Sequence, residues 1–164
     1  MADVEDFAEL IQQHQNMVYS IALHTLRNPA LAEDLSQEVF LSLHKHLGEM
    51  QSNDHVRNWL RRTVANRCID EIRRQKYRRG PALEDIREPS VDASESDPFL
   101  SDQVKKLVAG LPALARVMTV MRFQEELEPR EIAAQLNLPV ATVKSRLHRT
   151  LKLLRGRLEV RSKA

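Results

Sequence analysis

The 164-residue chain predicts an all-α fold of two small helical domains joined by an acidic flexible linker, and three observations lead there. The first is composition. There are 4 glycines and aromatic residues make up 4% of the chain, whereas the good helix formers Leu, Ala, Arg, Glu and Gln are plentiful. The second is periodicity, because apolar residues recur at spacings of three and four through both halves. The third is an interruption between the halves. The stretch GPALEDIREPSVDASESDPFL, Gly80 to Leu100, holds three of the 7 prolines and has no sustained apolar period, so it reads as a linker. The predicted domains are residues 1–79 and 101–164, with 80–100 between them.

Phe7, Leu10, Ile11, Val18 and Ile21 share one helical arc and begin the first helix. Asn28-Pro29 interrupts it, and a second helix is predicted from about Leu31 to Leu47. A polar loop, Gly48 to Asp54, then leads into a long basic helix ending near Arg79. Beyond the linker, Ser101-Asp102 is placed to cap a helix that stops near Gly110-Leu111-Pro112, and three more helices are predicted after it. The last two are the most informative. Pro129 suits a first helical position, Glu131 favours the positive end of the helix, and Asn137 tolerates the left-handed conformation that ends it. The next helix is predicted from about Pro139, with Val140, Val143, Leu147, Leu151 and Leu154 on one arc and Lys144, Ser145, His148, Arg149, Lys152 and Arg155 opposite. Two helices joined by a short turn, the second apolar on one side and basic on the other, make a helix-turn-helix. Its basic arc fits a DNA major groove, where Lys and Arg donate to guanine or to phosphates.

The net charge of +2 conceals strong segregation. Residues 1–50 carry 2 basic and 8 acidic side chains, residues 51–79 carry 9 and 3, residues 80–103 carry 1 and 7, and residues 104–164 carry 13 and 5. Two basic blocks separated by acid point to a polyanion met at two places. In the first acidic block, Leu35, Val39, Phe40, Leu43 and Leu47 form a core-facing arc, but Leu41 points away among Asp34, Gln37 and Glu38. An outward leucine in an acidic rim is suited to a protein partner with basic residues. No run of about 18 apolar residues is present, and MADVEDF is unlike a signal peptide, so a cytoplasmic protein without membrane insertion is expected. The single cysteine, Cys68, excludes an internal disulfide, and six scattered histidines lack zinc-ligand spacing, so no metal or cofactor is expected. Neither a Walker-type glycine loop nor a Ser/His/Asp arrangement supports an enzyme. A stand-alone helix-turn-helix regulator is the alternative reading. It leaves the first acidic face and the first basic helix without a purpose.

The segments AEDLSQEVFLSL, NWLRRTVANRCIDEIRR and LPALARVMTVMRFQEELEPREIAAQLNLPVATVKSRLHR resemble, in that order, the extracytoplasmic-function class of the sigma-70 family of bacterial transcription initiation factors. The resemblance covers both helical blocks. It implies that residues 1–79 are a region 2 domain, binding core RNA polymerase and the promoter −10 element, and that residues 101–164 are a region 4 domain, binding the −35 element. By the same resemblance, Asp34, Gln37, Glu38 and Leu41 match the segment that binds the coiled coil of the polymerase β′ subunit, and the β flap is a further expected contact. Asn66 matches a position that recognises a flipped −10 base, on a stripe with Trp59, Thr63 and Asp70. Arg57, Arg61, Arg62, Arg73 and Arg74 are expected on phosphates, and Ser52-Asn53 is similar to the loop that helps cap the flipped base. Lys144, Ser145, His148 and Arg149 match −35 reading positions, with Arg146 and Lys152 on phosphates. An anti-sigma factor covering both DNA-binding domains is a further implied partner. The chain departs from the family pattern where His44 replaces a frequent Trp and where Glu126 and Ala141 replace frequent glycines.

Overall fold

A computed structural model of the protein describes residues 6–79 and 102–162, all in helices or in turns between them. The acidic linker and the capping Ser101 lie outside the described residues. Helix α1 spans Phe7–Leu26, α2 Pro29–His46, α3 Asn53–Arg79, α4 Asp102–Ala109, α5 Ala113–Phe123, α6 Pro129–Leu136 and α7 Val140–Ser162.

Local chemistry sets the boundaries. Leu10, Val18, Ile21, Ala22 and Leu26 are buried along one stripe of α1, which ends at Arg27 with φ 58° and the Arg27 N–H donating to Leu23 O. The side chain of Asn28 then accepts from Leu31 N at 3.2 Å, and Pro29 opens α2, two residues earlier than the apolar pattern alone predicts. The polar loop is shorter than expected: a single 3-10 turn, Leu47–Glu49, and the buried Met50 lead to α3, which already begins at Asn53. Ser52 Oγ accepts from His55 N at 3.1 Å there, so this serine caps the helix. In the second half α6 carries a reciprocal cap, with the Glu128 side chain accepting from the Glu131 backbone and Glu131 Oε1 accepting from Glu128 N at 3.1 Å. Pro129 starts that helix and Asn137, φ 55°, ends it, as the sequence predicts. Glu126 has φ 56°, which explains why a glycine would suit that turn.

In the first half α1, α2 and α3 pack on one another through Leu10, Val18, Ile21, Leu35, Val39, Leu43, Val56, Leu60 and Val64. His44, in place of the frequent Trp, sets its ring edge-on to Phe7 with centroids 4.9 Å apart. In the second half α5, α6 and α7 enclose Met118, Met121, Ile132 and Val143, while α4 sits on α7 through Leu107, Val108, Leu111 and Leu154. These halves also meet. Helix α5 lies against α1 and α3, α6 lies against α3, and the buried residues of both halves form one continuous cluster. Five successive α5 residues, Val117 to Met121, are buried, which a helix achieves only when neighbours cover it on more than one side.

Candidate nucleic-acid interface

The second half presents its helix-turn-helix openly. Val143 and Leu147 of α7 are buried against the rest of the domain, while Lys144, Ser145, Arg146, His148, Arg149 and Lys152 are all exposed. Leu138 N donates to Ala133 O across the turn at 3.0 Å, which fixes how α7 leaves α6. Six polar or cationic side chains on one open helical face can donate to base edges and phosphates together. Thr150 is buried on the inner side, a position that the apolar arc does not reveal.

On α3 the stripe read from the sequence is graded in exposure. Trp59 is partly buried, tilted against His46 with centroids 5.5 Å apart, and Thr63 returns its hydroxyl to Trp59 O at 2.7 Å. Asn66 and Asp70 are exposed, as are Arg73 and Arg74. Arg74 pairs with the partly buried Glu71 at 3.4 Å and Arg57 with Asp54 at 3.9 Å, the latter on the surface, where such pairs are loosely held. The same stripe continues from Asp70 through Arg73 to Tyr77, whose ring is 88% exposed among basic neighbours. The sequence reading missed Tyr77. Its signal was the alternating spacing of four and three carried two turns further.

Ser52 and Asn53 stand at the start of this helix. Because Ser52 Oγ serves as the cap, Asn53 is the freer of the two: its Oδ1 is buried with no hydrogen-bond partner among the described residues. Arg61 differs from its basic neighbours. It turns toward the second half, where Nη2 lies 3.4 Å from Glu125 Oε2, and the two side chains are 16% and 12% exposed. Burial pushes the Glu125 carboxyl above its ordinary range, opposed by the charge of Arg61 and by its hydrogen bond. Arg62 stays exposed, with Nη2 3.5 Å from Ala134 O.

The acidic face lies on α2. Asp34, Gln37, Glu38 and Leu41 are all exposed there, and Leu41 is 64% accessible while Leu35, Val39, Phe40 and Leu43 face the core. Glu38 Oε2 pairs with Arg67 Nη1 of α3 at 3.2 Å, which ties this face to the residue beside Asn66. Asp34, Glu38, Arg62, Asn66, Arg67, Asp70 and Arg74 line one polar groove between α2 and α3.

The described residues thus form an all-helical protein with two separate basic surfaces, one of them a helix-turn-helix, and an acidic face with an outward leucine. Residues 10–78 match the family described as Sigma-70 region 2, and residues 101–154 match Sigma-70, region 4. The chain is 29% identical to the ECF RNA polymerase sigma factor SigW of Bacillus subtilis over 95% of its own length and 90% of that protein's. It is 30% identical to the ECF RNA polymerase sigma factor SigE of Mycolicibacterium smegmatis over 96% of its length, spanning 63% of that longer protein. Among solved structures, the sigma factor RpoE of Bartonella quintana, in complex with the anti-sigma factor NepR, has the same fold. The TM-score is 0.76 at 20% identity, over 96% of this chain and 99% of that one. The chain belongs to the sigma-70 family, in its extracytoplasmic-function class. It is a transcription initiation factor acting with RNA polymerase at promoters rather than an enzyme. No helix among the described residues is long and apolar enough to cross a membrane.

Proposed function

We propose that the three surfaces divide the work of initiation in the cytoplasm. The α2 face of Asp34, Gln37, Glu38 and Leu41 docks on the β′ coiled coil of core polymerase. Helix α3 opens and reads the −10 element through Asn66, and α7 reads the −35 element. The observation that carries this is the sorting on α7, where the apolar residues are inside and Lys144, Ser145, Arg146, His148, Arg149 and Lys152 are outside. On α3, Asp70, Arg57, Arg62, Arg73 and Arg74 flank the separated strand, with the cations on phosphates, and Tyr77 offers a ring on which a base stacks. Ser52 and Asn53, at the start of α3, help cap the extruded base, as the resemblance to the family implies. A β flap contact on the second domain and control by an anti-sigma factor complete the reading. A stand-alone regulator would leave the α2 face unused.

The test is transcription in vitro with core polymerase. Asn66→Ala should reduce open complex and relax −10 base preference, because losing a base-reading group costs about 1–3 kcal/mol of discrimination. Tyr77→Ala should lower open complex without changing that preference, since stacking tolerates any base. An Asn66→Ala protein that opens promoters normally, with the original preference, would remove Asn66 from the mechanism.

A further inference from the structure

One cation in the second half has no part in the surfaces described so far. Lys105 of α4 is only 6% exposed, whereas its neighbour Lys106 is open to solvent. Lysine is seldom buried to this degree unless its ammonium is paired. Among the described residues no hydrogen bond or ion pair holds Lys105. It lines a cavity of about 720 Å³ where the C-terminal end of α1 meets α4, α5 and α7.

The cavity combines two kinds of surface. Val108, Val120, Phe123, Leu154 and Leu158 give it an apolar wall, and its size is that of a small-molecule site. Arg27 and Arg155 join Lys105 on the lining, and Glu126 is the one carboxylate among the described lining residues. Glu126 is exposed, so it stays in water and leaves the buried ammonium unneutralised. On α4, Val104 and Lys105 flank Val108 at spacings of four and three, which puts charge and apolar surface on one helical arc. A ligand that answers both has an anionic head and an apolar tail. A small free anion would leave the wall uncovered, and a neutral lipid would cover the ammonium without giving it a partner.

We infer that this cavity is a binding site for a single-chain anionic amphiphile of the fatty-acid class, with its carboxylate on the Lys105 ammonium and its chain along Val108, Leu154 and Leu158. A monoanionic carboxylate balances the single buried ammonium, whereas a dianionic phosphate would carry a second charge against the apolar wall. None of Lys144, Ser145, Arg146, His148, Arg149 and Lys152 lines the cavity, so this ligand and DNA take different sides of α7. The site is also apart from the Leu41 face of α2, and its test requires neither polymerase nor promoter.

The probes are laurate, dodecanol and dodecyl phosphate, which share one tail and differ in the head. Calorimetric titration of the intact chain, below micellar concentrations, should show saturable binding of a single laurate, and bound laurate should raise the melting temperature. Lys105→Met keeps the length of the side chain and removes its charge. It should lower laurate affinity at least about tenfold and leave dodecanol affinity no lower than before. If Lys105→Met loses helicity, Phe123→Glu puts a carboxylate at the half-exposed rim and should weaken laurate binding instead. Equal laurate affinity in a folded Lys105→Met protein overturns the inference, as does wild-type protein that binds dodecanol as tightly as laurate. Tighter binding of dodecyl phosphate than of laurate overturns the fatty-acid class. Absence of saturable laurate binding overturns the site altogether; should Lys105→Met then weaken binding to core polymerase, the groove serves a protein.

Discussion

Leu41 and Leu43 are two residues apart on α2 and face opposite ways, so truncating each isolates one property of the helix. Leu41 is 64% exposed and Leu43 is fully buried. Burying a whole leucine side chain contributes about 1.5–3 kcal/mol. A partner that covers the exposed portion of Leu41 gains about two-thirds of that, or roughly 1–2 kcal/mol. Leu41→Ala should accordingly weaken binding to core polymerase by about 5- to 30-fold. Its thermal stability should stay within about 0.5 kcal/mol of the parent, as for most surface substitutions. Leu43→Ala should instead cost about 2–5 kcal/mol of stability, because it opens a cavity among α1, α2 and α3. The assay is a fluorescence anisotropy titration of labelled protein with core polymerase, alongside melting followed by circular dichroism. If Leu41→Ala binds core as tightly as the parent, the α2 face is not the docking surface. If it melts as early as Leu43→Ala, Leu41 is not the outward residue described.

The other predictions address DNA reading, backbone strain and the buried thiol. Arg149→Ala should change preference at a few −35 positions, whereas Lys152→Ala should weaken all promoters alike and reduce the log-log salt slope by about one unit; holoenzyme binding to a small promoter library at two salt concentrations separates them. Glu126→Gly, at φ 56°, should raise stability by about 0.5–1 kcal/mol, as strain relief outweighs the added freedom of the unfolded chain; a chemical denaturation midpoint reads it. Burial pushes the Cys68 thiol from 9.0 up to about 12, against the opposing charge of Arg116. The folded state thus holds this proton more tightly than the unfolded one, and the stability it contributes is complete below pH 9.0 and lost as pH rises toward about 12. Alkylation by iodoacetamide at pH 8 should be negligible in the native protein and rapid in denaturant.

What the sequence discloses and what it hides divide by distance along the chain. Asn28-Pro29, Pro129 and Asn137 mark helix ends because capping satisfies backbone groups within a few residues, and all three stand at the boundaries they predict. The outward turn of Leu41 and the exposed basic arc of α7 follow from a period of 3.6 residues, which is equally local. Arg61 is different. Periodicity places it among the basic residues of α3, but its partner Glu125 is 64 residues away, and nothing near either residue announces the other. The contact of Gln135 with Asn58 spans 77 residues and was equally hidden. One trace was available in ARVMTVM, whose apolar residues run all round the α5 helix and therefore require covering from two sides. Arg116, in that same run, reaches Leu111 O and Thr25 O, and burial lowers it to about 10, still cationic at neutral pH.

The shared core also has a timetable. Helices α1, α2 and α3 pack on one another, and the Leu41 face of α2 takes no part in joining the halves. During synthesis the residues that close the molecule, as far as Gln135, follow Arg79 by 56 positions. At roughly 5–20 residues per second the ribosome needs about 3–11 s to make them. For that interval α1, α2 and α3 can pack on one another, while the part of their core that α5 covers waits for residues not yet made.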